Sequence, residues 1–195
     1  MQEHDNDLVQ RYLVGDEEAF YSLVGKYKNP ITNFIARIIG DYDQAVDLTQ
    51  ETFLRVYKSI KKYRSDYQFS TWIYRIASNL AIDELRRRKR RGMFERRRIV
   101  QEEKDREINP EEQVADNRRP QDEQCVDSQH RKLIQEAIQS LPPVYRTAFI
   151  LNAVEEVDYD QISRILGCSL GTVKSRLHRA KSLLQKKLAP YWKKI

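Results

Sequence analysis

Apolar side chains in this chain recur at spacings of three and four residues, and no stretch alternates apolar with polar long enough to read as a half-buried strand. With only six Gly and six Pro in 195 residues to interrupt it, that pattern predicts an all-helical fold. Asp5 to Val14 reads as a short first helix. Gly15-Asp16 closes it and caps a second helix from about Glu17 to Lys28, and Asn29-Pro30 is expected to break the pattern before a third from Ile31 to Ile39. Gly40 stops that one. Asp43 is the expected cap of a fourth helix reaching Lys61, with an inner stripe of Val46, Phe53, Tyr57 and Ile60. Ser70 is the expected cap of a fifth, whose apolar face is Ile73, Ile76, Ala77 and Leu80 and which runs into an arginine-rich stretch.

From Ile99 to Asp127 the composition changes: ten acidic residues stand against Lys104, Arg106, Arg118 and Arg119, with Pro110 and Pro120 and almost no large apolar side chains. Such a segment buries too little to order itself and reads as a tether. Helical periodicity returns from Arg131 to Ser140, and Pro142-Pro143 suits the start of a helix through Ala153. Asp158 can cap the next, ending at Gly167, and Ser169 the last, to about Leu188. The simplest parse is two small helical domains, 1–95 and 129–195, joined by a flexible acidic linker over 96–128.

The 35 Lys and Arg outnumber the 29 Asp and Glu, a formal charge of +6 that favours a polyanionic partner. There is no apolar run of the roughly 18 residues a membrane span requires, so no membrane insertion is expected. The first residues, Met1-Gln2-Glu3-His4-Asp5, lack a signal peptide's basic and apolar regions. Cys125 and Cys168 have no metal-ligand spacing, and neither do His4, His130 and His178. A cytoplasmic, reduced protein without a cofactor is the expectation. With no phosphate-binding glycine loop and no nucleophile beside an evident base, catalysis is not expected either.

Near the C-terminus, Tyr159, Ile162, Ile165 and Leu166 give one helix an apolar side. Gly167-Cys168-Ser169 turns the chain, and Leu170, Val173, Leu177, Ala180 and Leu184 form the buried stripe of the next helix. That is the outline of a helix-turn-helix. Thr172, Lys174, Ser175, His178 and Arg179 lie on the other side, where cations and hydroxyls meet base edges and phosphates in a major groove. From Lys174 onward eight Lys or Arg are opposed by no Asp or Glu, a one-sided field that favours DNA by counterion release. An amphipathic helix with a solvated basic face is the plainer alternative.

Tyr63, Tyr67, Phe69, Trp72 and Tyr74 cluster at a loop-to-helix junction among Arg64, Ser65, Gln68, Arg75 and Asn79. Aromatic faces stack on unpaired bases and arginines neutralise their backbone, although core packing is the commoner fate of such rings. Downstream, Arg86-Arg87-Arg88-Lys89-Arg90-Arg91 and Arg96-Arg97-Arg98 carry nine positive charges against Glu95, so repulsion argues against burial. Nucleic-acid contact and a solvated extension both fit that run. On the helix after Asp43, Asp43, Asp47 and Glu51 share one side. Without histidine or further oxygen ligands, this reads as a solvated or protein-docking face, not a metal site.

Four segments, in order, resemble the extracytoplasmic-function group of bacterial RNA polymerase sigma factors. They are Asp47-Leu48-Thr49-Gln50-Glu51-Thr52-Phe53-Leu54-Arg55-Val56-Tyr57, Phe69-Ser70-Thr71-Trp72-Ile73-Tyr74-Arg75-Ile76-Ala77, Leu141-Pro142-Pro143-Val144-Tyr145-Arg146 and Gly171-Thr172-Val173-Lys174-Ser175-Arg176-Leu177-His178-Arg179-Ala180. The resemblance implies that Asp47, Gln50, Glu51, Phe53 and Arg55 dock on the β′ coiled coil of core RNA polymerase, with a second contact to its β flap. It implies that Arg64, Ser65, Tyr67, Phe69, Trp72, Arg75 and Asn79 open and hold the −10 promoter element. It also implies that Thr172, Lys174, Ser175, Arg176, His178 and Arg179 read the −35 element, that the linker threads toward the RNA-exit path, and that an anti-sigma factor sequesters the chain. Gln161 and Ser163 depart from the Glu and Ala frequent in the family, and the arginine run is unusually dense. A stand-alone helix-turn-helix regulator is the competing reading of the same residues.

Overall fold

A computed structural model of the chain describes residues 4–63, 67–104 and 132–192, and all regular structure there is helical. The N-terminal group comprises α1 (Asp5–Leu13), α2 (Glu17–Ile39), α3 (Tyr42–Ser59) and α4 (Phe69–Lys104), with a 3-10 turn at Ile60–Lys62 after α3. The C-terminal group comprises α5 (132–139), α6 (Pro143–Ala153), α7 (Tyr159–Leu166) and α8 (Leu170–Trp192). α4 continues to Lys104, into the start of the stretch read as a tether; the rest of that stretch, and its acidic character, lies outside the described residues.

The helix stops and starts follow local chemistry. Asp16, Asp41 and Asp158 each accept a bond from an amide of the first turn, and Ser169 does the same for Thr172 at 3.2 Å. Gly40 and Gly167 end α2 and α7 in the left-handed region, with φ of 73° and 59°. Asp41, not Asp43, caps α3, because the chain re-enters the helix within two residues of Gly40. α4 likewise begins at Phe69, one residue before the expected cap Ser70. α8 runs past Leu188 to Trp192 with Pro190 inside it.

The expected break at Asn29-Pro30 does not occur. α2 is one helix through Pro30, which forgoes a single amide bond at a cost of about 3 kcal/mol. Ile31, Phe34, Ile35 and Ile38 continue one fully buried face beyond it. At roughly 2 kcal/mol per buried side chain, those four outweigh the proline.

α3 is turned by one residue from the expected register. Its inner face is Ala45, Thr49, Thr52 and Val56, whereas Tyr57 is 56% exposed. The two threonine hydroxyls bond back to Ala45 and Leu48 carbonyls at 2.8 and 2.7 Å, and Thr32 of α2 meets Thr49 at 3.1 Å. Satisfied within their own helix, these small side chains pack as if apolar and let α2 and α3 approach closely.

Part of the arginine run is structural. Glu84, 5% exposed, is paired with Arg87 and Arg88, and Arg88 also reaches Asp41 at 3.0 Å and the Ile39 carbonyl at 3.4 Å. Arg88 thereby ties α4 to the α2–α3 corner. Repulsion within the run is relieved by carboxylates the local pattern did not pair with it, while Lys89, Arg90 and Arg91 are exposed.

The two groups of helices pack on each other. Phe34, Ile35 and Ile38 share one continuous apolar cluster with Ile150, Leu151, Ile162 and Ile165. Ala137, Leu141, Ala180 and Leu184 form a smaller one between α5 and α8. At the seam Arg146 is buried and donates to the Ile38 carbonyl, to Gln139 and to the Leu141 carbonyl.

Candidate nucleic-acid and protein interfaces

α7, the Gly167 turn and α8 form the helix-turn-helix. Val173, Leu177, Ala180 and Leu184 are buried, while Leu170, expected in that stripe, is the first residue of α8 and is 37% exposed. Lys174, Ser175, His178 and Arg179 face solvent, and Thr172 and Arg176 are half-buried at the edges of that face. The Thr172 hydroxyl is 2.9 Å from that of Ser169, and Ser175 donates to the Thr172 carbonyl at 2.9 Å. Arg179 donates to the Tyr145 hydroxyl at 3.0 Å, and that phenol raises its pKa. The guanidinium is thus held in place and fully charged.

At the start of α4 the aromatic cluster divides. Phe69 is 1% exposed and its ring lies 5.4, 5.9 and 5.7 Å from those of Tyr27, Tyr63 and Trp72. It belongs to the core, buried where the sequence reading expected it to face a DNA strand; a ring this close to three others is held by packing. Trp72 is half-buried against Tyr63 at 5.1 Å, Tyr67 is 52% exposed, and Arg75 and Asn79 face solvent. The Tyr63 hydroxyl bonds Asn6 and the Tyr67 carbonyl at 2.9 and 2.5 Å and so pins the loop to α1; burial, first of all, pushes its pKa up. Arg64 and Ser65 lie outside the described residues.

On α3, Asp47 and Gln50 are exposed and Glu51 accepts a bond from Arg55 at 2.9 Å. Phe53 packs half-buried on the core. The apolar side chains that face outward beside the acidic ones are Leu54, 52% exposed, and Tyr57, which the one-residue difference in register concealed. Tyr57 lies against Tyr12 and Phe20, with ring centres 6.2 and 5.5 Å apart, and this makes an aromatic ledge next to the charged stripe. Among the described residues no group of three His, Cys, Asp or Glu is placed to hold a metal ion, the Asp43, Asp47 and Glu51 face included.

Between the two groups lies a cleft of about 370 Å³. Tyr67, Trp72 and Arg75 line one wall, and Arg164, Gly167 and Cys168 the other. Glu155, in the turn after α6, accepts from Arg37 at 2.8 Å and from the Tyr74 hydroxyl at 3.0 Å. Burial, then the Glu155 charge, raises the pKa of Tyr74, so the phenol stays a donor. Sequence reasoning missed Gln139 and Glu155, and it had Arg146 only as part of a motif, without its bonds to α2. Their partners are distant in the chain, and no periodicity announces them.

Residues 23–91 match the family described as Sigma-70 region 2, and residues 131–184 match Sigma-70, region 4. The chain is 36% identical over 181 residues to the ECF RNA polymerase sigma factor SigW of Bacillus subtilis, covering 89% of this chain and 91% of that one. It is 35% identical over 189 residues to the RNA polymerase sigma-H factor of Pseudomonas aeruginosa, covering 97% and 96%. Among solved structures, it shares its fold with CnrH in complex with the cytosolic domain of CnrY, with a TM-score of 0.68 and 18% identity over 96% of this chain and 99% of that one. RpoE in complex with the anti-sigma factor NepR from Bartonella quintana matches at a TM-score of 0.59 and 23% identity, over 87% and 96%.

Proposed function

The chain belongs to the extracytoplasmic-function sigma-70 family and is a sigma factor of transcription initiation, and from that premise we propose how its surfaces divide the work. α8 reads the −35 element with Lys174, Ser175, His178 and Arg179 at the centre and Thr172 and Arg176 at the edges. α4 holds the opened −10 strand with Trp72, Arg75 and Asn79, beside Tyr67 and the loop bearing Arg64 and Ser65. α3 docks on the polymerase β′ coiled coil through Asp47, Gln50, Glu51 and Arg55, with Leu54 and Tyr57 supplying the apolar contact assigned from sequence to Phe53. The C-terminal helices contact the β flap.

The observation that carries this reading is the two-sided character of α8. A stripe of Val173, Leu177 and Ala180 at 0–2% exposure leaves its cationic and hydroxyl groups on the opposite face, as major-groove reading requires. The chain supplies no catalytic group, and the polymerase performs the chemistry. It works in the bacterial cytoplasm, where the polymerase meets the chromosome; among the described residues no helix is long and apolar enough to cross a membrane. An anti-sigma factor holds it in reserve, as NepR is found with RpoE.

Transcription with purified core polymerase, with and without the chain, tests this. The chain should direct initiation from defined starts. Promoter-selective duplex binding without any effect on initiation would favour the stand-alone regulator and overturn the assignment.

A further inference from the structure

α1 reaches the strand-reading loop through a single phenol. Asp5, the first residue of α1, accepts from Lys26 and Tyr27 of α2, both at 2.5 Å, and so fixes the start of the helix. The next residue, Asn6, stands 2.9 Å from the Tyr63 hydroxyl, and that hydroxyl lies 2.5 Å from the Tyr67 carbonyl. Tyr63 and Tyr67 are the two ends of the loop that bears Arg64 and Ser65. One oxygen therefore ties both ends of that loop to a helix 57 residues earlier in the chain.

The hydroxyl has one proton to give. The Tyr67 carbonyl can only accept, and two oxygens 2.5 Å apart need that proton between them, so Tyr63 donates to Tyr67. It must then accept from Asn6. An amide's oxygen and nitrogen are told apart by their partners, and here only the NH2 group can serve the phenol oxygen. Burial, then the Asp5 charge, raises the pKa of Tyr63, so the phenol keeps its proton. The bonds thus run in one direction, from Asn6 to Tyr63 to Tyr67. The ring does not need them, because it already packs on Phe69 and Trp72, with centres 5.9 and 5.1 Å away. What the hydroxyl adds is the placement of Tyr67, which is 52% exposed and leads through Gln68 into the start of α4.

We infer that Asn6 and Tyr63 are positioning residues for −10 recognition: the amide of α1 orients the Tyr63 hydroxyl toward the Tyr67 carbonyl, and that bond holds the strand-reading loop in the register that selects bases. α1 thereby shapes promoter choice from outside the residues assigned to DNA. This rests on the assignment of the loop to the melted −10 strand.

The test uses the full chain assembled with core polymerase. A fluorescent single-stranded DNA is enriched from a random pool by the unsubstituted holoenzyme, and binding of that strand and of its single-base variants is measured by anisotropy. The readout is discrimination, the ratio of affinity for the enriched strand to affinity for its variants. Asn6 is exposed, so substitutions there leave the core intact. Asn6→Ala leaves Tyr63 free to donate to Tyr67 and should change discrimination by less than about two-fold. Asn6→Asp offers only acceptors, competes with Tyr67 for the one proton and should lower discrimination about ten-fold, the scale of one hydrogen bond. Tyr63→Phe removes the bond and should match it. The added charge of Asn6→Asp disfavours every strand alike and cancels in the ratio, and a carboxylate in the first turn suits the helix dipole, so the thermal midpoint should hold. Unchanged discrimination with Asn6→Asp or Tyr63→Phe overturns the inference. So does equal loss with Asn6→Ala and Asn6→Asp, which would mark a merely structural contact. If the unsubstituted holoenzyme enriches no sequence at all, the assignment of the loop to the melted strand falls and takes the proposal with it.

Discussion

Arg146 of α6 donates a hydrogen bond to the carbonyl of Ile38, 108 residues away at the end of α2, and bonds Gln139 and the Leu141 carbonyl with the same guanidinium. It serves the helix terminus that Gly40 leaves open. Burial lowers its pKa, so the charge stands in a poorly hydrated site and depends on those acceptors. Arg146→Met strands the buried carbonyls of Ile38 and Leu141 along with the part-buried oxygens of Gln139, and should cost about 2–3 kcal/mol of stability, read from denaturant unfolding. A loss within experimental scatter would show that these acceptors find water instead.

Gly40 adopts a φ of 73°, and a Cβ there would lie 3.0 Å from the Gln139 side chain. Gly40→Ala meets strain of about 1–2 kcal/mol in the backbone and pushes against the amide that bonds the Arg37 carbonyl. Thermal unfolding should reveal a lower midpoint, and the drop should be smaller when Gly40→Ala is made in a Gln139→Ala background, where the clash is already absent.

Lys174→Ala and Arg179→Ala should weaken binding to −35 duplex far more than binding to core polymerase. If each group meets one phosphate, the slope of log affinity against log salt drops by about 1 per substitution. Equal loss of DNA and polymerase binding would contradict the division of surfaces. Tyr145→Phe, which removes the acceptor that positions Arg179, should reproduce part of the Arg179 effect.

Leu54→Glu places a charge on the outward face of α3 and should reduce core polymerase association at least about ten-fold, the scale of an interface hot spot, with thermal stability preserved. Phe53→Ala should do the opposite, lowering stability by about 2 kcal/mol with a smaller effect on association measured below the unfolding transition. A reversed pair of outcomes would restore Phe53 as the docking residue.

The backbone amide of Gln44, first, and then the Arg88 guanidinium hold the Asp41 carboxyl below the usual carboxylate range. A folded-state value below the unfolded one stabilises the chain above the unfolded pKa, and the contribution disappears as pH falls through the lowered value. Asp41→Asn keeps a capping side chain and removes the charge. The stability gap between it and the unsubstituted chain should be constant above about pH 5 and close below about pH 4, measured by urea unfolding across that range. A gap independent of pH would assign the effect to geometry alone.

The helices, the caps Asp16, Asp158 and Ser169, and the outward face of α8 were legible in the sequence because each depends on neighbours within a few residues. Three kinds of feature were not. Pro30 reads as a break locally, yet the burial of Ile31 to Ile38 against other helices decides otherwise. Thr49 and Thr52 read as polar, yet hydroxyls satisfied inside their own helix pack as methyls, which turned the expected face of α3 and hid Tyr57. Phe69 belongs to a motif that points to DNA, yet three neighbouring rings claim it for the core. The Glu155 and Arg146 bonds join residues far apart in the chain, which no periodicity encodes.

Glu155 receives one bond from a guanidinium that is 49% exposed and one from a sheltered phenol. Dissolved ions weaken the first and scarcely touch the second. Concentrated buffer alone will therefore loosen the junction without parting it, and full separation demands a competitor able to pry the tyrosine side as well.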